Sequence, residues 1–393
     1  MRSPRERVGE RHQVPEVRLA PGPCHRAERT AMSTRTDPSE LSIRDAIERY
    51  LRRRQADATS SSVKSWKYRL KLFAEWCEGI GLERIGDLRG YDIDEYFELR
   101  SATVAPATLE GEMWTLRMFA EYLEQIEAVE RGLSESVRIP DINPEDRADE
   151  TSLSTPAALR LIRHYRDSED DRASRRHVFV ELAWYTGARQ GALRALDIRD
   201  VVLNIDNEQG SWVEFRHRPE TETPLKNNRQ GERPVGIPDE TARVVSEYID
   251  GDRYDVHDEN GRQPLISSER GRPHENTVRV WCYGATQPCV AGGCPHDRDP
   301  SICEWREHKQ LSKCPSSRSP HKIRTGSITW QLNQGLPPEV VAERVDATVK
   351  TIETHYDWAS QEDRWRRYRD RMEQRQDYVD QLAENEEHIN GHD

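Results

Sequence analysis

The stretch 139–155 divides this chain. It is polar and acidic, is broken by Pro140 and Pro144, and separates two regions with different hydrophobic periodicity. Such a segment reads as an interdomain linker, since proline and charge both resist packing. The 393 residues are enough for two cores plus tails. Each flanking region therefore has to bury its own apolar face.

Residues 39–138 carry a helical pattern. Ile43, Ala46, Ile47, Tyr50 and Leu51 recur at i, i+3, i+4, i+7 and i+8, one face of an amphipathic helix. The run Ser60-Ser61-Ser62 suits the start of a second helix bearing Val63, Trp66, Leu70 and Phe73. A third, within 109–126, lines up Leu109, Met113, Leu116, Phe119, Ala120 and Leu123. A small bundle follows. Residues 156–360 mix helical stretches with β-like pieces: 211–218 and 233–237, joined by the turn-rich 219–232, predict a small antiparallel sheet. Residues 1–38 lack apolar periodicity and read as a disordered extension, with Met32 a conceivable start. The tail 361–393 places Trp365, Tyr368, Met372, Val379 and Leu382 on a heptad-like stripe interrupted at Arg375, an amphipathic helix that needs a partner surface.

Charge needs an explanation. Lys and Arg total 59 against 71 Asp and Glu, a net charge of −12, and only eight of the basic residues are Lys. This acidic, lysine-poor balance resembles proteins of salt-loving archaea, although GC-rich codon usage also favours Arg over Lys. The lysines are not scattered. Lys64, Lys67 and Lys71, with Arg69, fall in 59–74, which holds no acidic residue, and Lys309, Lys313 and Lys322 form a second group. Concentrated cations in an acidic chain point to local phosphate-facing patches, so Lys64, Lys67, Arg69 and Lys71 are the candidate DNA-binding residues. No apolar run nears the ~20 residues of a membrane span, and no secretory h-region is present, so a cytoplasmic protein is expected.

Five elements follow one another in the second region. Tyr185-Thr186-Gly187-Ala188-Arg189 closes one apolar helix and opens another, and Lys226 lies in the turn between the β-like pieces. Ser319-Pro320-His321-Lys322-Ile323-Arg324 comes next, then Asp346, then Tyr356 in Glu353-Thr354-His355-Tyr356-Asp357. In-line cleavage of a phosphodiester needs a nucleophile, an acid for the leaving oxygen and cations on the nonbridging oxygens. Tyr356 suits the nucleophile, Arg189 and Arg324 the guanidinium forks, Lys226 the leaving-group acid, and His321 the proton acceptor.

This order resembles the tyrosine recombinase (phage integrase) family, in the version found in halophilic archaea, over about residues 41–360. The resemblance implies a mainly α fold with a small antiparallel sheet: a helical core-binding (SAM-like) domain at 39–138 and a mixed α/β catalytic domain at 156–360, clamped around duplex DNA. It also implies the residue roles above and a homotetramer on synapsed DNA, the C-terminal helix docking on a neighbour. Two positions depart from the family pattern. Asp346 stands where a His or Trp is usual, so that either His355 substitutes or Asp346 buttresses an arginine. Ala192 stands where a Glu is usual after Arg189. These departures keep open a catalytically silent DNA-binding regulator on the same scaffold, and the residue set is shared with type IB topoisomerase-like nicking-closing enzymes.

Five of the seven cysteines lie in a cysteine-rich insert, 282–314, poor in apolar residues. Reduced thiols clustered there favour a structural zinc over disulfides, with Cys289, Cys294, Cys303 and Cys314 as ligands and Cys282 or His296 as replacements. Their spacings match no standard ribbon, and buried free cysteines are the other reading. Catalysis itself calls for no cofactor.

Overall fold

The computed structural model describes residues 37–142 and 151–355, and all but five positions between 365 and 380. The chain divides into two compact units after Ile142.

The first unit is helical. Helices α1 (Ile43–Arg54), α2 (Ser60–Gly79), α3 (Gly90–Ser101) and α4 (Pro106–Gln125) enclose one core. Ser42 and Thr59 cap α1 and α2 by accepting from the Asp45 and Ser62 amides, and Pro106 occupies the first turn of α4, where its missing N–H costs nothing. The apolar spacing read from the sequence is the buried face: Ile43, Ala46, Ile47, Tyr50 and Leu51 are buried on α1, and Leu109, Met113, Leu116, Phe119, Ala120 and Leu123 on α4. Tyr50 packs on Phe119 with ring centroids 5.5 Å apart. One buried charge is matched: Glu112 on α4 receives both Nε (2.8 Å) and Nη2 (2.9 Å) of Arg100.

The second unit is built around a buried helix. Its elements are α5 (Thr155–Asp167), α6 (Arg175–Thr186), α7 (Gln190–Ala195), strands β1 (Val201–Val202), β2 (Ser211–Phe215) and β3 (Arg233–Ile237), then α8 (Asp239–Asp250), α9 (Glu275–Ala285), α10 (Pro320–Asn333), α11 (Pro338–Val345) and α12 (Val349–His355). The strands form one antiparallel sheet in the order β1-β2-β3, with Val213 opposite Val235 and Phe215 opposite Arg233. On β2, residues 211, 213 and 215 are buried and the alternate positions are half-buried, the period of two expected of a strand over a core. Helix α6 is buried from His177 to Trp184, so it is the shared centre of the unit. Its one carboxylate, Glu181, accepts from Arg166, His177 and Thr241. Burial alone would raise its pKa, but these hydrogen bonds win and hold it below the ordinary value.

The acidic stretch read as a linker reaches further into structure than its composition suggests. Residues 143–150 lie outside the described set, but Leu153 is buried in the core of the second unit and donates its amide to the Lys322 carbonyl of α10 (3.0 Å). Gly326 makes that approach possible, because a Cβ there would overlap the Leu153 carbonyl. Between 365 and 380 the described positions are helical. Trp365, Tyr368, Met372 and Val379 are exposed, while Arg367 is buried and donates to Asn333 of α10 (2.7 Å). No described helix is long and apolar enough to cross a membrane.

Candidate active site

The turn after α6 positions the first arginine. Gly187 ends α6 in the left-handed region (φ 60°), and a Cβ there would lie 2.9 Å from Val345 and 3.1 Å from both Gln331 and Ser327. Only glycine meets both demands. Two residues on, Arg189 is the N-cap residue of α7 and extends to the end of α11, where its Nη1 donates to the backbone carbonyl and to Oδ2 of Asp346, each at 2.7 Å.

Arg324 stitches the same two segments from behind. It is 1% exposed, and its Nη1 donates to the carbonyls of Gly187 (2.8 Å) and Val345 (2.6 Å). One buried guanidinium thus fixes the turn that carries Arg189 and the helix end that carries Asp346. His321, one turn earlier on α10, sits at the open edge of the site. Its pKa is lowered by partial desolvation and then by the charges of Arg324, Lys322, Arg189 and Lys226, so the neutral imidazole is favoured. Lys226, exposed on the β2–β3 hairpin, is the last and smallest of these influences on His321.

Asp346 has a definite role in this geometry. It caps α11 in the left-handed region (φ 56°), a conformation Asp tolerates better than most residues. Its carboxylate is bound to Arg189 and, through Oδ1, to Nδ2 of Asn227 on the hairpin (2.8 Å). Of the two roles open for Asp346, the geometry favours buttressing. Ala192 is buried on α7, and the carboxylate that orients Arg189 comes instead from the end of α11. Tyr356 lies outside the described residues, as does the His355 side chain.

Two participants escaped the sequence reading. Arg233, at the start of β3, donates Nε to the Arg344 carbonyl (2.7 Å) and Nη1 to Gly231 (2.8 Å), and lies 4.6 Å from the Phe215 ring centroid. Burial pushes its pKa down to about 10, with Asp346 opposing and Arg324, Arg189 and Arg344 adding to the fall. Asn227 is the other. Neither stands out in sequence, because an arginine in a strand and an asparagine in a turn are ordinary.

No family model matches the sequence, and neither does any curated protein. Solved structures do. A lambda integrase dimer bound to a COC′ core site superposes with a TM-score of 0.55 at 12% identity, over 81% of this chain and 77% of that one. The Tn1549 transposon integrase, in complex with a circular intermediate DNA, gives 0.56 at 13% identity, over 85% and 99%. By fold, this chain belongs with the tyrosine recombinases. The N-terminal domain of a phage integrase/site-specific recombinase from Haloarcula marismortui is 46% identical over 25% of this chain and 97% of its own length, with a TM-score of 0.25.

Elsewhere on this recombinase fold, one expectation needs correction. On α2, Lys64, Lys67 and Lys71 are exposed, Lys71 with Glu75 at 3.4 Å, but Arg69 turns inward. Its Nη1 donates to the Gly111 carbonyl (2.9 Å) and Thr115 Oγ1 (3.0 Å) of α4, and a Cβ at Gly111 would meet that guanidinium at 2.7 Å. Arg69 ties two helices together and is not part of the exposed lysine row. As to the zinc expected at Cys289, Cys294, Cys303 and Cys314, among the described residues no three His, Cys, Asp or Glu side chains form a group that could hold a metal ion. Cys282 is fully buried and donates to the Arg318 carbonyl (3.3 Å), and His296 pairs with Ser316 (3.0 Å). Burial is the main cause of the raised Cys289 pKa, and Cys294 and Cys314 add to the rise. The insert has other ties. Trp305 is flanked by Arg298 (3.8 Å) and His296 (5.7 Å), and its carbonyl accepts from Gln287 (2.7 Å).

Proposed function

We infer that this protein is a site-specific DNA recombinase that cleaves and rejoins strands through a 3′-phosphotyrosyl intermediate. The observation that carries this reading is the convergence of Arg189, Arg324, His321 and Lys226 on one site of a tyrosine-recombinase fold. Arg189 and Arg324 neutralise the nonbridging oxygens of the scissile phosphate. The Tyr356 hydroxyl attacks phosphorus in line, and its proton passes to the neutral His321. The phosphorus–oxygen bond to the 5′ side breaks as the tyrosyl bond forms, and Lys226 protonates the departing 5′-oxygen. One phosphodiester is exchanged for another, so religation by a 5′-hydroxyl needs no external energy source.

Duplex DNA is the substrate, and the exposed lysine row on α2 supplies contacts to its backbone. Synapsis of two duplexes calls for a homotetramer. The exposed apolar row Trp365, Tyr368, Met372 and Val379 supports docking of the C-terminal helix on another copy. A second reading, a DNA-binding regulator without cleavage, draws on one observation: a carboxylate, Asp346, bound to the arginine meant for phosphate. Incubation with a nicked suicide duplex separates the two. A protein–DNA adduct that survives denaturant is expected of the recombinase, and stable binding without any adduct would favour the regulator.

A further inference from the structure

Among the described residues, Asp346 is the one carboxylate bonded to Arg189, and it is held from several sides. Its main chain is set by the Arg324 bond to Val345 and the Arg233 bond to Arg344, the two residues before it. Its own carbonyl and Oδ2 share Nη1 of Arg189. The hairpin segment 227–231 then straddles the carboxylate. Asn227 at one end donates to Oδ1, and Gly231 at the other lies so close that a Cβ would sit 3.1 Å from Oδ2. Lys226 is exposed and stands between Leu225, which is buried in the core, and Asn227.

We propose that Asp346 is a positioning residue that couples the two halves of the catalytic site, setting the Arg189 fork with one oxygen and the Lys226 hairpin with the other. The proposal rests on the recombinase reading above. It accounts for a negative group beside a phosphate site: the carboxylate engages Nη1 of Arg189, and among the described residues Nε and Nη2 of that fork have no partner. It also accounts for Ala192, since Arg189 has its orienting carboxylate from another element. A leaving-group acid on a hairpin has to arrive at the same place as the arginines, and one residue bonded to both enforces that register.

The test compares full-length wild type, Asp346→Asn and Asn227→Ala, matched for folding by thermal unfolding, in two assays. The first is single-turnover adduct formation on a nicked duplex, with DNA affinity measured alongside. Asp346→Asn should lower the adduct rate about 100-fold, the size expected for a misplaced catalytic group, while the dissociation constant for DNA moves little. Asn227→Ala should lose less in the same sense, and the double variant should be no slower than Asp346→Asn alone. The second is hydrogen exchange of the amides in 224–232, which should quicken in both variants whether or not cleavage is observed. An Asp346→Asn adduct rate equal to or above wild type would overturn the proposal, and a rise would mark the carboxylate as an inhibitory plug. Unchanged hairpin exchange would overturn the tether. A wild type that forms no adduct would remove the recombinase reading, and the exchange data would then judge the tether alone.

Discussion

The cations of α2 and those around Arg324 differ in their surroundings. Lys64, Lys67 and Lys71 lie in solvent on one helix face, with a single exposed ion pair, Lys71 to Glu75, among them. Arg324, Arg189 and Arg233 are instead anchored to main-chain carbonyls, and Arg324 is almost wholly buried. Exposed lysines are interchangeable point charges that act through counterion release. Buried guanidiniums with directed hydrogen bonds are parts of the fold, and their geometry is their function. With a net charge of −12, the recombinase reading needs cations that are locally concentrated.

The largest effect should come from Arg324→Lys. A lysine cannot reproduce bonds to both the Gly187 and Val345 carbonyls, so adduct formation should drop by about 10³-fold. Leaving a buried carbonyl unpaired should also cost about 1–3 kcal/mol, read by denaturant unfolding. Retention of activity would mean that this arginine does not organise the site. Changing Lys64, Lys67 and Lys71 together to Gln tests the other side of the comparison. The slope of log affinity against log salt should flatten by up to about 3, with folding unaffected. An unchanged slope would turn α2 away from the DNA backbone.

Arg69→Gln sharpens the contrast within one helix. Because Arg69 holds α4, its loss should cost about 1–3 kcal/mol of first-unit stability and leave the salt slope as it was. A slope change matching a lysine substitution would place Arg69 on the DNA after all. The smallest effect concerns pH. His321 has a pKa lowered by desolvation and by Arg324, Lys322, Arg189 and Lys226, so it is neutral down to lower pH than an ordinary histidine. The acid limb of the adduct rate should therefore fall below the usual ~6.5. Lys322→Gln removes one of those charges and should move the limb upward by less than about one pH unit. A limb at or above the ordinary value would take the proton-acceptor role from His321.

The comparison also shows what a sequence can reveal. Helix α1 and strands β2 and β3 were legible because burial follows a period that spacing preserves, as in Ile43, Ala46, Ile47 and Tyr50, or Val213 and Phe215. That Arg189 and Arg324 would both reach the end of α11 could not be read from their order alone, because their carbonyl partners lie far along the chain. What failed depended on neighbours distant along the chain. Arg69 and Lys71 look alike in a basic stretch, and only the packing of α4 separates them. Arg233 and Asn227 gain their roles only once β3 and the hairpin meet the end of α11. Leu153 looked like linker because its neighbours are polar, and a single buried leucine leaves no periodicity to read.

The central claim is that Tyr356 carries the DNA. Wild-type protein trapped on a nicked duplex, digested and examined by mass spectrometry, should yield one nucleotide-linked peptide, that containing Tyr356. Tyr356→Phe should bind the duplex normally and yield none. A linkage on any other residue, or an adduct persisting in the Phe variant, would contradict the account.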